Sequence, residues 1–187
     1  MTDDRAGTDT AGSGTAGRGT AGNLRVLGTL RSTNGSAVVR LEDRLDAGIG
    51  EVWSAVTEPG RLSHWLGEVT GELRQDGEFS AHFFASGWEG TCRVELCEAP
   101  HRLRIKGTSP GEPDTVMEAT LTADGDQTIL VLEDRGLPPE QIAAYGAGDQ
   151  IHLEDLTAYL AGSGPCDARA RWQELHPAYQ NLAADLA

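Results

Sequence analysis

Asp149 and His152 stand three residues apart, a spacing that brings two side chains together on one face of a helix. A carboxylate that orients an imidazole is the minimal general-base unit. The same pair can also do no more than seat a helix on its neighbour. Tyr145 and Asp155 lie on or near the same face. No Gly-x-Ser-x-Gly elbow accompanies them, and no residue is assigned a catalytic role. The three cysteines are Cys92, Cys97 and Cys166. An odd number in a chain of this size argues against a disulfide framework and fits a reducing cytosol, so a cytoplasmic protein is expected. Cys92 and Cys97 are five apart on a predicted strand, which points them to opposite faces. All three cysteines read as buried structural thiols. His and Cys are too scattered for a zinc site, and no phosphate-cradling glycine loop follows a strand. Neither a metal nor a cofactor is assigned.

The elements that would position these groups follow from periodicity. Residues 1–22 are almost entirely Gly, Thr, Ala, Ser, Asp and Arg. They bury too little apolar area to offset the entropy of ordering, and a disordered tail is expected. Residues 24–30 predict a first strand, followed by the turn signal Asn34-Gly35. A strand over 36–45 comes next, then a short helix over 48–56 whose Ile49, Val52, Trp53 and Val56 share a face. Pro59 ends it and opens a further turn through Leu62, Trp65 and Leu66. Trp53 is expected in the core.

From residue 68 to residue 135 the pattern is all strand. Predicted strands cover 68–74, 78–85, 89–98, 102–106, 115–122 and 128–134, joined by short turns with no helix between them. That makes an antiparallel meander and excludes parallel pairing. Phe79 and Phe83 share one face of their strand, and His82 lies on the other. Which of the two faces the interior stays open. Cys92, Val94 and Leu96 are expected on one face, as are Met117, Ala119 and Leu121. Trp88 follows a glycine at a strand start, where it lines an opening or shields an edge. A helix then begins at Pro138-Pro139-Glu140 and runs to about Leu160. Its inner stripe is Ile142, Tyr145, Asp149, His152 or Leu153, Leu156 and Leu160. A last amphipathic stretch over 168–186 is expected to dock on the outside, interrupted or kinked at Pro177.

The predicted architecture is α+β and of helix-grip type: a curved antiparallel sheet wrapped around a long C-terminal helix, with two short helices after the first strand. Residues 23–162 form the domain, and 163–187 a helical extension. A helix laid over a curled sheet does not fill the hollow everywhere, and the space left over is an apolar pocket with a few polar groups. Formal net charge is −14, with no Lys/Arg cluster, so nucleic acid is excluded as a partner. No apolar run reaches the roughly 20 residues needed to cross a bilayer, and membrane insertion is not expected.

Six segments stand in a fixed order from about residue 36 to residue 162: Glu51-Val52-Trp53-Ser54-Ala55-Val56-Thr57-Glu58-Pro59, Leu62-Ser63-His64-Trp65-Leu66, Gly77-Glu78-Phe79, Glu98-Ala99-Pro100-His101-Arg102-Leu103, Leu132-Glu133-Asp134-Arg135-Gly136-Leu137 and Tyr145-Gly146-Ala147-Gly148-Asp149-Gln150. In these the chain resembles the START-like (SRPBCC) superfamily, and within it the family related to the C-terminal domain of the activator of Hsp90 ATPase. The resemblance implies a binding module for an apolar or amphipathic small molecule. It places Trp65 at a gate. Asp149 stands where relatives often have Trp, and Asp134 where they often have His, which implies a more polar wall. The expected ligand contacts are Trp65, Phe79, Phe83, Trp88, Met117, Tyr145, Asp149 and His152. The family also implies two other readings, a chaperone-associated regulator of Hsp90 and a cyclase or dehydratase using the same cavity. A second copy of the chain or a chaperone is the protein partner those readings allow.

Overall fold

The computed structural model describes residues 24–33 and 35–186, so the expected tail at 1–22 and Asn34 of the turn signal lie outside the described residues. Eight strands form one antiparallel sheet. They are β1 (Gly28–Thr33), β2 (Ser36–Leu45), β3 (Gly67–Gly71), β4 (Glu78–Phe83), β5 (Glu89–Glu98), β6 (Arg102–Thr108), β7 (Thr115–Asp124) and β8 (Gln127–Leu137). Their spatial order is β1-β2-β8-β7-β6-β5-β4-β3. After β2 the chain crosses to the far edge through α1 (Ile49–Thr57) and α2 (Pro59–Leu62), then meanders back until β8 pairs with β2. A 3-10 turn at Pro139–Gln141 leads into α3 (Ile142–Leu160), and α4 (Ala168–Ala184) follows. This is the curved sheet and long C-terminal helix of the helix grip, with the short helices where the sequence put them.

Alternation along the strands decides the concave face. Met117 lies opposite Asp134 and Ile105, and Ala119 opposite Leu132 and Leu103. Directly opposed residues share a face, so the middle of this face, over β6 to β8, is apolar around Asp134. The convex face carries charge instead. Glu118 is buried there and accepts from Arg102 at 2.7 and 3.0 Å, from Arg104 at 2.9 Å and from Arg135 at 3.0 Å.

β3 and β4 end a few residues early, at Gly71 and Phe83, and β1, β5 and α3 differ more from expectation. β1 begins at Gly28 rather than at residue 24, because the preceding backbone bonds to a side chain and not to a strand. Leu27 N donates to Gln150 Oε1 at 2.9 Å, and Gln150 Nε2 donates to Arg25 O at 2.8 Å. β5 carries a bulge between Val94 and Leu96. Gln75 holds it open, donating to Glu95 O at 3.0 Å and accepting from Cys97 N at 2.9 Å. The extra residue reverses the alternation. Leu96 therefore faces outward opposite Arg104, and Cys97 joins Cys92 and Val94 on the concave side opposite Leu103. The two thiols share a face, against the simple count of five. Of the three, only Cys92 is buried. Cys97 is half-buried and Cys166 exposed. Finally, α3 is buried on nearly all sides and not along one stripe, because α4 covers its back.

That backing is tightly fitted. Gln150 and Tyr179 are both fully buried. Gln150 Oε1 also accepts from Tyr179 OH at 2.8 Å, and its Nε2 donates to Glu154 Oε1 at 2.8 Å. All the hydrogen-bonding capacity of the amide is thereby used. A Cβ on Gly28 would lie 2.4 Å from Tyr179 OH, and one on Gly146 would lie 2.5 Å from the Tyr179 ring. Arg171 of α4 forks onto Glu154 of α3 with two bonds of 2.7 Å. α4 runs as one helix with Pro177 inside it.

Two predictions follow from these contacts. Gly146→Ala, which stabilises an ordinary exposed helix, lowers stability here by about 1–3 kcal/mol through the clash with Tyr179. Urea melts measure this, and an unchanged or raised midpoint contradicts the packing. The second concerns Glu118. Burial opposes its charge, but the three guanidinium groups prevail and hold its carboxyl down at about 2, against the usual 4.5. A depressed carboxyl contributes stability above its ordinary range and loses it as pH falls toward the depressed value. Glu118→Gln is therefore less stable than the parent at neutral pH, and the gap closes between about pH 4.5 and pH 2. Denaturant melts across that range test it, and a gap independent of pH refutes it.

Candidate functional site

Between α3 and the concave face of the sheet lies a cavity of about 560 Å³. Its floor is built by β4 to β8, its roof by α3, and one end by Trp65 and Leu66 after α2. The exposed members of its lining, Ser86, Gly87, Glu112 and Gln141, mark the mouth. All eight residues singled out from the sequence line this space. Trp65 is buried and donates its indole N–H to Ala55 O at 3.1 Å, so its polar atom is satisfied by α1 and only its apolar face is free. Phe79 and Phe83 point inward. His82 is exposed on the other face, against the edge of Phe84. Trp88 stacks on Phe83 with centroids 5.1 Å apart, and His152 meets Phe83 edge-on at 5.5 Å. Trp53 is half-buried and packs against the core without lining the cavity.

The Asp149–His152 unit does not form. His152 Nε2 lies 3.4 Å from Ser86 Oγ, while His152 Nδ1 and Asp149 Oδ2 are buried with no hydrogen-bond partner among the described residues. Phe83 and Ser86 hold the imidazole instead, and burial pushes it down to about 4. The neutral ring is therefore the resting form at neutral pH. The carboxylate that faces Asp149 is Asp134 of β8. Its Oδ1 is likewise buried and unpartnered. Burial raises Asp134 to about 7, with the Arg135 backbone pulling the other way. Asp149 is raised well above the carboxylate range by burial and then by the charge of Asp134. Tyr145, one turn earlier on α3, is raised by burial and by Glu112, Asp134 and Asp149.

Several lining residues were not among those expected. Asp134 was legible only as a departure from the family pattern. Leu103, Ile105 and Leu132 were legible as inward positions. Trp172 reaches the cavity from α4, and nothing in its own sequence context distinguished it from a residue that merely docks a helix. Cys92 lines the wall too, with its thiol pushed up to about 12 by burial, which leaves it protonated and unreactive. No group of three or more His, Cys, Asp or Glu among the described residues is placed to hold a metal ion. No helix among them is long and apolar enough to cross a membrane.

The profile of the family described as "Activator of Hsp90 ATPase homolog 1-like protein" matches residues 46–161, more than half of the chain. Among solved structures, the crystal structure of CalU16 from Micromonospora echinospora superposes with a TM-score of 0.71 at 29% identity, covering 83% of this chain and 96% of that one. The solution structure of CalU16 gives 0.70 at 27% identity over 90% and 100%. DynU16, from the dynemicin biosynthetic locus, gives 0.62 at 27% identity over 68% of this chain and 48% of its own. No curated protein matches the sequence. By family match and by fold alike, the chain belongs to the Activator of Hsp90 ATPase homolog 1-like proteins, within the START-like class.

Proposed function

We propose that this protein binds an apolar or amphipathic small molecule inside the cavity under α3. The observation that carries the reading is the hollow itself. About 560 Å³ falls in the range of small-molecule sites, which are mostly apolar with a few convergent polar groups. Natural interiors are close-packed, and voids much larger than a water molecule are few. Six aromatic residues, Trp65, Phe79, Phe83, Trp88, Tyr145 and Trp172, contribute to the lining. They offer flat faces for a planar or fused-ring ligand. DynU16, a structural relative, comes from the dynemicin biosynthetic locus, a setting that suits a small-molecule ligand. The unpaired Asp149 and His152 argue for holding a ligand over acting on it. The family name alone favours the second reading, a regulator of Hsp90, and a change in Hsp90 ATPase turnover on adding this protein is its test.

Ala119 sits on the floor of the cavity opposite Leu132 and Leu103. In a packed core, inserting a ring there costs about 1–3 kcal/mol. In an open hollow the ring has room. Ala119→Phe therefore keeps Tm within about 5 °C of the parent and weakens binding of an environment-sensitive fluorescent dye by about tenfold or more, as a filled site should. Dye titration and thermal melts measure the two effects. A parent protein that binds no apolar dye, or a variant that unfolds while binding is unchanged, counts against the reading.

A further inference from the structure

The formally charged residues of the cavity lining are of one sign. Glu112, Asp134 and Asp149 line it, and no Lys or Arg does. Asp134 is 3% exposed and Asp149 7%, yet each leaves a carboxylate oxygen without a hydrogen-bond partner among the described residues. Buried polar atoms in native proteins are almost always paired, and an exception calls for a physical reason. Among the described residues, buried side chains away from the cavity keep the rule. Glu118 on the convex face takes three arginines, and Gln150 on the back of α3 uses its whole amide. Among the described residues, the side chains that carry orphaned oxygens both line the cavity, one on β8 and one on α3.

We propose that the cavity is selective for a ligand carrying a basic nitrogen, an aromatic or fused-ring amine bound as its ammonium with N–H groups donated to Asp134 and Asp149. This rests on the reading of the cavity as a ligand site and names the chemistry of that ligand. A hydroxyl donates to the same oxygens but brings no charge to offset a buried carboxylate. An ammonium supplies donors and charge together, and charge-assisted hydrogen bonds are roughly twice as strong as neutral ones. The aromatic walls add a second attraction, because Trp, Tyr and Phe faces are negative and draw cations. The chain as a whole carries −14, which raises the local concentration of cations at the mouth.

The other titratable groups that face the pair are consistent with this. Tyr145 and His152 on α3 and Cys92 on β5 are neutral at physiological pH: Tyr145 and Cys92 because burial raises them, His152 because burial lowers it. Glu112 at the mouth adds negative charge. Nothing in the lining competes for the carboxylates as a cation. Burial raises both carboxyls, and the charge of Asp134 raises Asp149 further. An incoming ammonium lets a carboxyl ionise, and its proton leaves to solvent.

The test is a matched series on one scaffold: anthracenylmethylamine, anthracenemethanol and anthracenecarboxylate, titrated into the full chain and read by ligand fluorescence. The amine is expected to bind about tenfold or more tightly than the alcohol, and the carboxylate most weakly, as expected for a desolvated charged site. In Asp134→Asn and Asp149→Asn the amine loses its advantage and its affinity falls toward that of the alcohol. Both variants melt at or above the parent temperature, because each removes a buried carboxyl that no partner compensates. Equal binding of amine and alcohol by the parent, or a preference for the carboxylate, overturns the proposal and leaves the cavity reading standing. No binding by any of the three overturns both. The parent measurements decide the matter even if an Asn variant does not fold.

Discussion

The side-chain amide of Gln150 organises this fold. It is fully buried at the back of α3, and it joins the backbone before β1 at Arg25 and Leu27 to Tyr179 of α4 and to Glu154. An unmet polar group at that depth costs about 1–3 kcal/mol, so all these elements are held to one geometry. The helix is thus secured from behind, by α4 and the N-terminal segment, and needs less contact with the sheet in front. That division leaves the concave face free to remain hollow. Gly146, with no room for a methyl group beneath Tyr179, records how close the rear packing is.

The same division explains why a cavity survives beside a well-formed core. The buried cluster that includes Val39, Leu41, Leu45, Ile151, Leu156, Leu175 and Tyr179 lies toward β1, β2 and α4. A second, smaller cluster of Phe79, Ala81, Cys92, Val94 and Leu103 covers the other half of the sheet. Stability is concentrated at one side and space at the other. Placing unpaired carboxyls at the empty side costs stability, which a protein tolerates where binding needs the groups.

Much of this was legible in the sequence because the strands alternate and the turns are marked. The order of strand, two short helices, meander and long helix gave the helix grip, and the inward faces of β6, β7 and β8 followed from period two. What failed did so where a side chain intervened. The Gln75 amide supports the bulge that turns Leu96 outward and Cys97 inward, and no periodicity shows that. Gln150 diverts residues 24–27 from the sheet in the same way. The eight residues expected to contact a ligand all line the cavity, but their partners were not legible. Asp149 looked paired with His152 because helix spacing allows it, whereas burial and Phe83 set the imidazole elsewhere and Asp134 faces the carboxylate from a strand that sequence distance conceals.

Trp172 ties these two halves together. It stands on α4, stacked with His176 at 4.8 Å, and its indole also forms part of the cavity wall. Whatever fills the hollow therefore touches the element that fastens α3 from behind. Occupancy and C-terminal docking become linked equilibria: a guest resting on that indole slows the peeling of the last helix, and a frayed last helix loosens the guest.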